Sequence, residues 1–248
     1  MRNDIDNVRG PGRFPATAWS VLAGLASEDA GVRQRSFDAL VAAYWKPVYK
    51  HLRLKWHLPS EDAEDVTQAF FLRAIEKDFF SDYDRSRARF RTFLRVCLDR
   101  FLANERAAAG RAKRGGEAQR LSLAFDVAEH ELAAAGAVTT PEEVFDREWV
   151  RSLFSLAVEA LRELCHARGK EVYYRLFERY DLADADAGRP TYRQLAEAFG
   201  LAETDVTNHL AAARRDFRRL VLEQLREITA DEAEFQAEAR YLLGVDAV

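Results

Sequence analysis

The stretch Thr191-Tyr-Arg-Gln-Leu-Ala-Glu-Ala-Phe-Gly-Leu-Ala-Glu-Thr-Asp-Val-Thr-Asn-His-Leu210 decides the fold class. Thr191 and Gln194 stand three apart at the head of an apolar run, the spacing of a capping box. Leu195, Ala196 and Phe199 then recur on one helical face. Gly200 permits a sharp stop, Leu201 fills the gap between two helices, and Val206 and Leu210 anchor the second. The small Ala196 lets the helices approach closely. The spacing predicts a helix-turn-helix, whose second helix has the shape that enters a DNA major groove. Thr207, Asn208 and His209 are its candidates for base contact, and Arg214, Arg215, Arg218 and Arg219 continue it as phosphate partners. The plain alternative is a helical hairpin with a glycine turn. A small residue, a Gly and a Val at these spacings favour the DNA reading. Ala202 occupies the N-cap position, where Ser or Thr would add about 1 kcal/mol.

Outward from this motif the same helical signals run through the chain. Gly and Pro are few, 12 and 6 in 248 residues, and runs of β-branched residues are missing. The fold class expected is all-α: two helical domains joined by a linker, the second carrying the helix-turn-helix. Residues 1–15 have no periodic pattern and are expected to be disordered. A first domain spans 16–110. Within it Pro47 is expected to kink or break a helix. Ser60 is the expected N-cap of the next helix, with acids at the positive end of its dipole, and a further helix covers about 86–109. Residues 111–140 read as a linker with at most a short helix. Thr140-Pro141-Glu142-Glu143 opens the second domain, 141–229, with a strong helix start. A C-terminal tail, 230–248, begins with Thr229-Ala-Asp-Glu232, read as a capping box. It carries an apolar stripe of Phe235, Ala239, Leu242 and Leu243 beside Glu232, Glu234 and Glu238.

Charge is segregated. The whole chain has 37 Lys and Arg against 41 Asp and Glu, which excludes a uniformly basic coat. Residues 85–120 nevertheless hold 11 basic and 3 acidic side chains, whereas 121–148 hold 7 acids and one Arg, and 227–248 hold 6 acids and one Arg. On the helix through this basic segment, Arg91, Arg95 and Arg106 fall within about 60° of one another. Phe90, Leu94, Cys97 and Phe101 fall opposite. One face is expected to be core and the other to meet phosphates. The acidic linker and tail are the expected internal cover of that basic helix. For the tail itself two roles are expected: to compete with DNA for the 214–219 region, or to brace the second domain.

Other classes are disfavoured. Cys97 and Cys165 are too few for a disulfide scaffold or a Cys-rich zinc site. No apolar run approaches membrane length, and the polar start MRNDIDNVRGPGRFP is unlike a signal peptide, so a cytoplasmic location is expected. No catalytic nucleophile–base pair and no phosphate-cradling glycine loop are evident, so no enzyme, no cofactor and no metal are expected. The acids Glu61, Asp62, Glu64 and Asp65 have a carboxylate metal site as their rival reading, but no His lies at ligand spacing. His51, His57 and His130 are read as surface or packing residues. A stand-alone helix-turn-helix regulator is the competing function. It leaves the basic helix and the 61–65 acidic patch without a role.

The combination resembles a bacterial RNA polymerase sigma factor of the extracytoplasmic-function (ECF) type, in the sigma-70 family, from about Trp19 to Ile228. The resemblance rests on Ser-Glu-Asp-Ala-Glu-Asp-Val-Thr-Gln-Ala-Phe-Phe (60–71), Phe-Arg-Thr-Phe-Leu (90–94), Phe-Leu-Ala-Asn-Glu (101–105), Lys-Arg-Gly-Gly (113–116) and the helix-turn-helix. It implies a transcription initiation factor that binds the β′ and β subunits of core RNA polymerase and directs it to promoter DNA. It implies that Asp62, Glu64, Asp65 and Gln68 dock on a β′ coiled coil. Segments 82–89 and 90–114 would capture the unpaired minus-ten element, with Arg91, Arg95, Arg100, Asn104, Arg106, Arg111, Lys113 and Arg114 as contacts. Arg100 stands where many relatives have Asn. The second domain would read the minus-thirty-five element, and Ala211 and Ala212 stand there in place of the usual large side chains. Asp126, Glu129 and Glu131 would suit a linker threading a basic polymerase channel. An anti-sigma factor or other regulator is a further implied partner.

Overall fold

A computed structural model describes residues 20–77, 79, 80, 82–84, 86–109, 121–134, 140–183, 188–229 and 231–244. The expectations for residues 1–15, for the 113–116 motif and for half of residues 111–140 lie outside these. Among the described residues there are ten helices and no strand, so the chain is all-α. They are α1 (Ser20–Leu25), α2 (Ala30–Lys55), α3 (Ser60–Glu76), α4 (Phe90–Ala109), α5 (Phe125–Ala134), α6 (Pro141–Ala167), α7 (Glu171–Asp181), α8 (Tyr192–Phe199), α9 (Glu203–Ile228) and α10 (Glu232–Leu243). No helix among the described residues is long and apolar enough to cross a membrane.

Local chemistry sets most helix ends. The Thr140 hydroxyl accepts from the Glu143 N–H while the Glu143 carboxylate accepts from the Thr140 N–H, a complete capping box. Thr191 and Gln194 repeat it at α8. Gly200 ends α8 at φ 65°, a left-handed conformation that a side chain disfavours. Three expectations are corrected. Ser60 is the first helical residue rather than the N-cap; that place falls to Pro59, with no side-chain cap. Thr229 turns its hydroxyl back onto the Leu225 carbonyl, and Asp231 caps α10 by accepting from the Glu234 N–H. Pro47 does not break α2, which continues to Lys55. Pro47 is buried, as are Tyr44 and Val48 beside it in sequence, and the tertiary packing of this stretch outweighs the lost backbone bond. Sequence reading also missed the break at Asp29, whose carboxylate caps α2 by accepting from the Gly31 and Val32 N–H groups.

The main core is continuous from α1 to α10. Leu40, Tyr44, Val48 and Leu52 of α2 meet Phe70 and Phe71 of α3, Phe90, Leu94 and Leu98 of α4, and Phe145, Trp149 and Leu153 of α6. Leu225 and Ile228 of α9 and Phe235 and Ala239 of α10 join the same cluster. The second half of α6 makes a separate core with α7 and the middle of α9, and α7, α8 and the start of α9 make a third around Leu195, Val206 and Leu210. The long helix α6 thus runs from the main core into the second cluster, and α9 from the main core through the second cluster into the third, and they set where each arginine-bearing surface lies.

Candidate nucleic-acid and polymerase interfaces

The first surface is the acidic start of α3. Glu61, Asp62 and Asp65 are exposed on the first turns, while Ala63 and Thr67 are buried beneath them. Glu64 is half-buried. The Gln68 carboxamide oxygen accepts from the Leu121 N–H at 3.1 Å, so the segment before α5 touches the edge of this patch. Two acids of α5, expected with the tail to cover the basic helix, engage α2 instead. Glu129 takes Arg53 at 3.0 Å and the Tyr49 hydroxyl at 2.6 Å, and Glu131 takes Lys46 at 2.7 Å and Lys50 at 2.8 Å, all from α2. Lys50 is almost fully buried and completes its pairing with Glu148 of α6 at 2.7 Å.

The second surface is α4. Its apolar face holds Phe90, Leu94, Leu98, Phe101 and Leu102 in the core. Its arginines do not share one fate. Arg91 is buried: it donates to Glu238 at 2.6 Å, pairs with Asp146 at 3.3 Å, and its guanidinium lies between the Trp149 and Tyr241 rings. Arg95 is half-buried, 6.0 Å from the Phe145 ring. Arg100, Asn104 and Arg106 are exposed, with Arg106 stacked on Trp56 at 4.9 Å. Asp99 binds α4 to α2. Burial alone would raise its carboxyl, but hydrogen bonds from His51, Lys55 and Trp56 hold it well below the usual range. The three arginines expected to line one phosphate face are therefore divided, because acids and rings of α6 and α10 cover the first turn. Arg111, Lys113 and Arg114 lie outside the described residues. Before α4, Tyr83 sits on Phe90 and Phe93 in an aromatic cluster that holds the preceding loop to the core.

The third surface is the outer face of α9. Val206 and Leu210 are buried against α8, and Thr207 and Asn208 are exposed. Arg215, Arg218 and Arg219 are exposed further along, and a shallow cleft of about 350 Å³ runs from them to Phe235. Two expected contacts point inward instead. His209 stacks on Tyr173 of α7 at 4.1 Å, nearly parallel. Arg214 makes a paired bond to Asp181, both at 2.9 Å, and lies over Tyr180. The partners are on α7, which no local spacing rule connects to α9. Residues that sequence reading missed include Arg89, which reaches Glu238 at 3.4 Å, and the rings Trp149 and Tyr241 that enclose Arg91. Among the described residues, no group of three or more His, Cys, Asp or Glu is arranged to hold a metal ion.

Among the described residues, a capped α8 that turns at Gly200 into α9, beside a second arginine-bearing helix in an all-helical fold, fits the class of DNA-binding transcription proteins. A family model described as ECF sigma factor matches residues 35–221, from α2 into α9, and the chain belongs to that family. Neither the curated proteins nor the solved structures contain a match to it. Membership makes it a sigma factor, a transcription initiation factor that works with core RNA polymerase on promoter DNA.

Proposed function

We propose that the chain docks on core RNA polymerase through Asp62, Glu64, Asp65 and Gln68 of α3, against a basic surface of the β′ subunit, and places two DNA-reading units on a promoter. Residues 16–110 act as the minus-ten unit, 141–229 as the minus-thirty-five unit, and 111–140 as the linker between them beside the β subunit. Arg95, Arg100, Asn104 and Arg106, followed by Arg111, Lys113 and Arg114, meet the melted strand. Thr207 and Asn208 read the upstream duplex while Arg215 and Arg218 hold its phosphates. His209 and Arg214 position α9 through α7. An anti-sigma factor acting on these surfaces in the cytoplasm is the regulator this reading implies. The observation that carries it is the exposed face of α9 with Thr207, Asn208, Arg215 and Arg218 outward over a buried Val206 and Leu210, in a chain whose family match runs over residues 35–221.

The docking patch gives the test. Asp62→Lys with Asp65→Lys neutralises the four-acid cluster, a change that removes complementarity to a basic partner. The double variant is expected to keep its helical circular dichroism and lose co-purification with core polymerase. Wild-type recovery of polymerase overturns the docking assignment, and a loss of divalent-ion binding by calorimetry restores the metal reading of the patch.

A further inference from the structure

The start of α4 is closed by carboxylates from the far end of the chain. The Phe90 N–H donates to Glu234 Oε1 at 2.6 Å, across 144 residues of sequence. Arg91 donates to Glu238 Oε2 at 2.6 Å, and the two side chains are only 6% and 2% exposed. Arg89 approaches the same oxygen at 3.4 Å. The first turn of α4 has no acid of its own. A peptide N–H, two guanidinium groups and the positive end of a 20-residue helix therefore converge, all donors and all positive, and two carboxylates from successive turns of α10 fill them. Arg226 of α9 fixes the start of α10 by pairing with Glu232 at 2.9 Å and lying over Phe235 at 4.0 Å.

We propose that α10 is an internal competitor for nucleic acid. Its Glu234 and Glu238 carboxylates occupy the positions that backbone phosphates take at the start of α4, so the free chain displays the outer face of α9 and withholds the first turn of α4, leaving Arg100, Asn104 and Arg106 exposed further along. This rests on reading α4 as the helix that meets the melted strand. An apolar brace would need only Phe235 and Ala239, which are already buried in the core. The buried ion pair adds little net stability over an apolar contact, so its charges favour a role in exchange. A 12-residue terminal helix is marginal by itself and leaves its seat as a unit.

The test uses a fluorescent single-stranded DNA 20-mer of random sequence at low salt, without polymerase. Two variants remove the competitor: the chain ended after Thr229, and the full chain with Glu234→Gln and Glu238→Gln. Each is expected to bind at least about tenfold tighter than wild type, the factor produced by ~1.4 kcal/mol. Arg91→Ala in the same background is expected to abolish the gain. The charge-matched control Glu159→Gln with Glu163→Gln, on the exposed side of α6, is expected to show none of it. Wild-type affinity in either folded variant, or an equal gain in the control, overturns the proposal. If the shortened chain fails to fold, the full-length Gln variant decides. Because polymerase is absent, a negative result leaves the promoter-factor reading to its own co-purification test.

Discussion

Helices α4 and α9 are both amphipathic, both rich in arginine and both read from sequence as DNA-facing, yet the structure treats them oppositely. The first turn of α4 folds its arginine inward onto Glu238, Asp146, Trp149 and Tyr241. The corresponding stretch of α9 leaves Arg215 and Arg218 in solvent and turns only Arg214 inward, onto Asp181. The same residue type is thus part of the fold in one place and available to a ligand in another. The difference comes from where the acids lie. In α4 the partners arrive from α6 and α10, whereas on the outer side of α9 Arg219 is engaged by Asp216 and Glu223 of the same helix and only the last turn, at Arg226, meets an α10 acid among the described residues.

The largest consequence falls on Arg91. Replacing it by Ala removes the cation from a buried pair and is expected to destabilise the chain by about 3 kcal/mol, the lower end of the range for such a loss. Glu238 moderates the loss, because burial already pushes its carboxyl up against the pull of Arg91 and Arg89, and without the cation it takes up a proton. The destabilisation is therefore expected to be smaller at pH 5 than at pH 8 in urea unfolding. Equal losses at both values break the account of the pair.

A middle-sized effect belongs to Glu227 on α9, whose carboxyl burial raises to about 7, with Glu223 adding to the shift. A raised folded-state value means that the folded chain holds a proton the unfolded chain has lost. Stability from this group is full below the unfolded value of about 4.3 and is lost as pH rises to about 7. Glu227→Gln is expected to stabilise the protein at pH 8 by about 1–2 kcal/mol, after discounting for its partial contact with water, and to leave pH 4 stability nearly unchanged.

The smallest stability effect is expected at Arg215. Its replacement by Ala should change unfolding by less than about 0.5 kcal/mol. It should instead weaken duplex binding and reduce the salt slope by about one phosphate contact. Set beside Arg91→Ala, this sharpens the contrast: one arginine is read in the melt, the other in the salt titration.

What the sequence made legible was local. The capping boxes at Thr140 and Thr191, the left-handed Gly200 and the apolar face of α4 each follow from residues within a turn or two of one another. Thus the all-helical class and the capped starts of α6 and α8 were readable, as was the approach of acids from the tail to the start of α4 as a matter of charge. The seat of that tail was not. Glu238 lies 147 residues from Arg91, and nothing in either neighbourhood says that Trp149 and Tyr241 will enclose the guanidinium. The stacking of His209 on Tyr173 was not legible for the same reason, since Tyr173 belongs to a helix on the other side of the α8 turn. Ser60 and Thr229 carried good capping chemistry, but Pro59 and Asp231 stand at the caps, which shows a rule giving the helix and missing its first residue.

The central claim is that this ECF-family chain directs core polymerase to promoters with both helices. The most direct measurement adds the purified chain to core RNA polymerase on a genomic DNA library and maps the 5′ ends of the transcripts. The account predicts discrete start sites, absent with core polymerase alone, that share one upstream and one downstream element, with Asn208→Ala altering only the upstream preference. Transcripts no more discrete than those of core polymerase alone would contradict it.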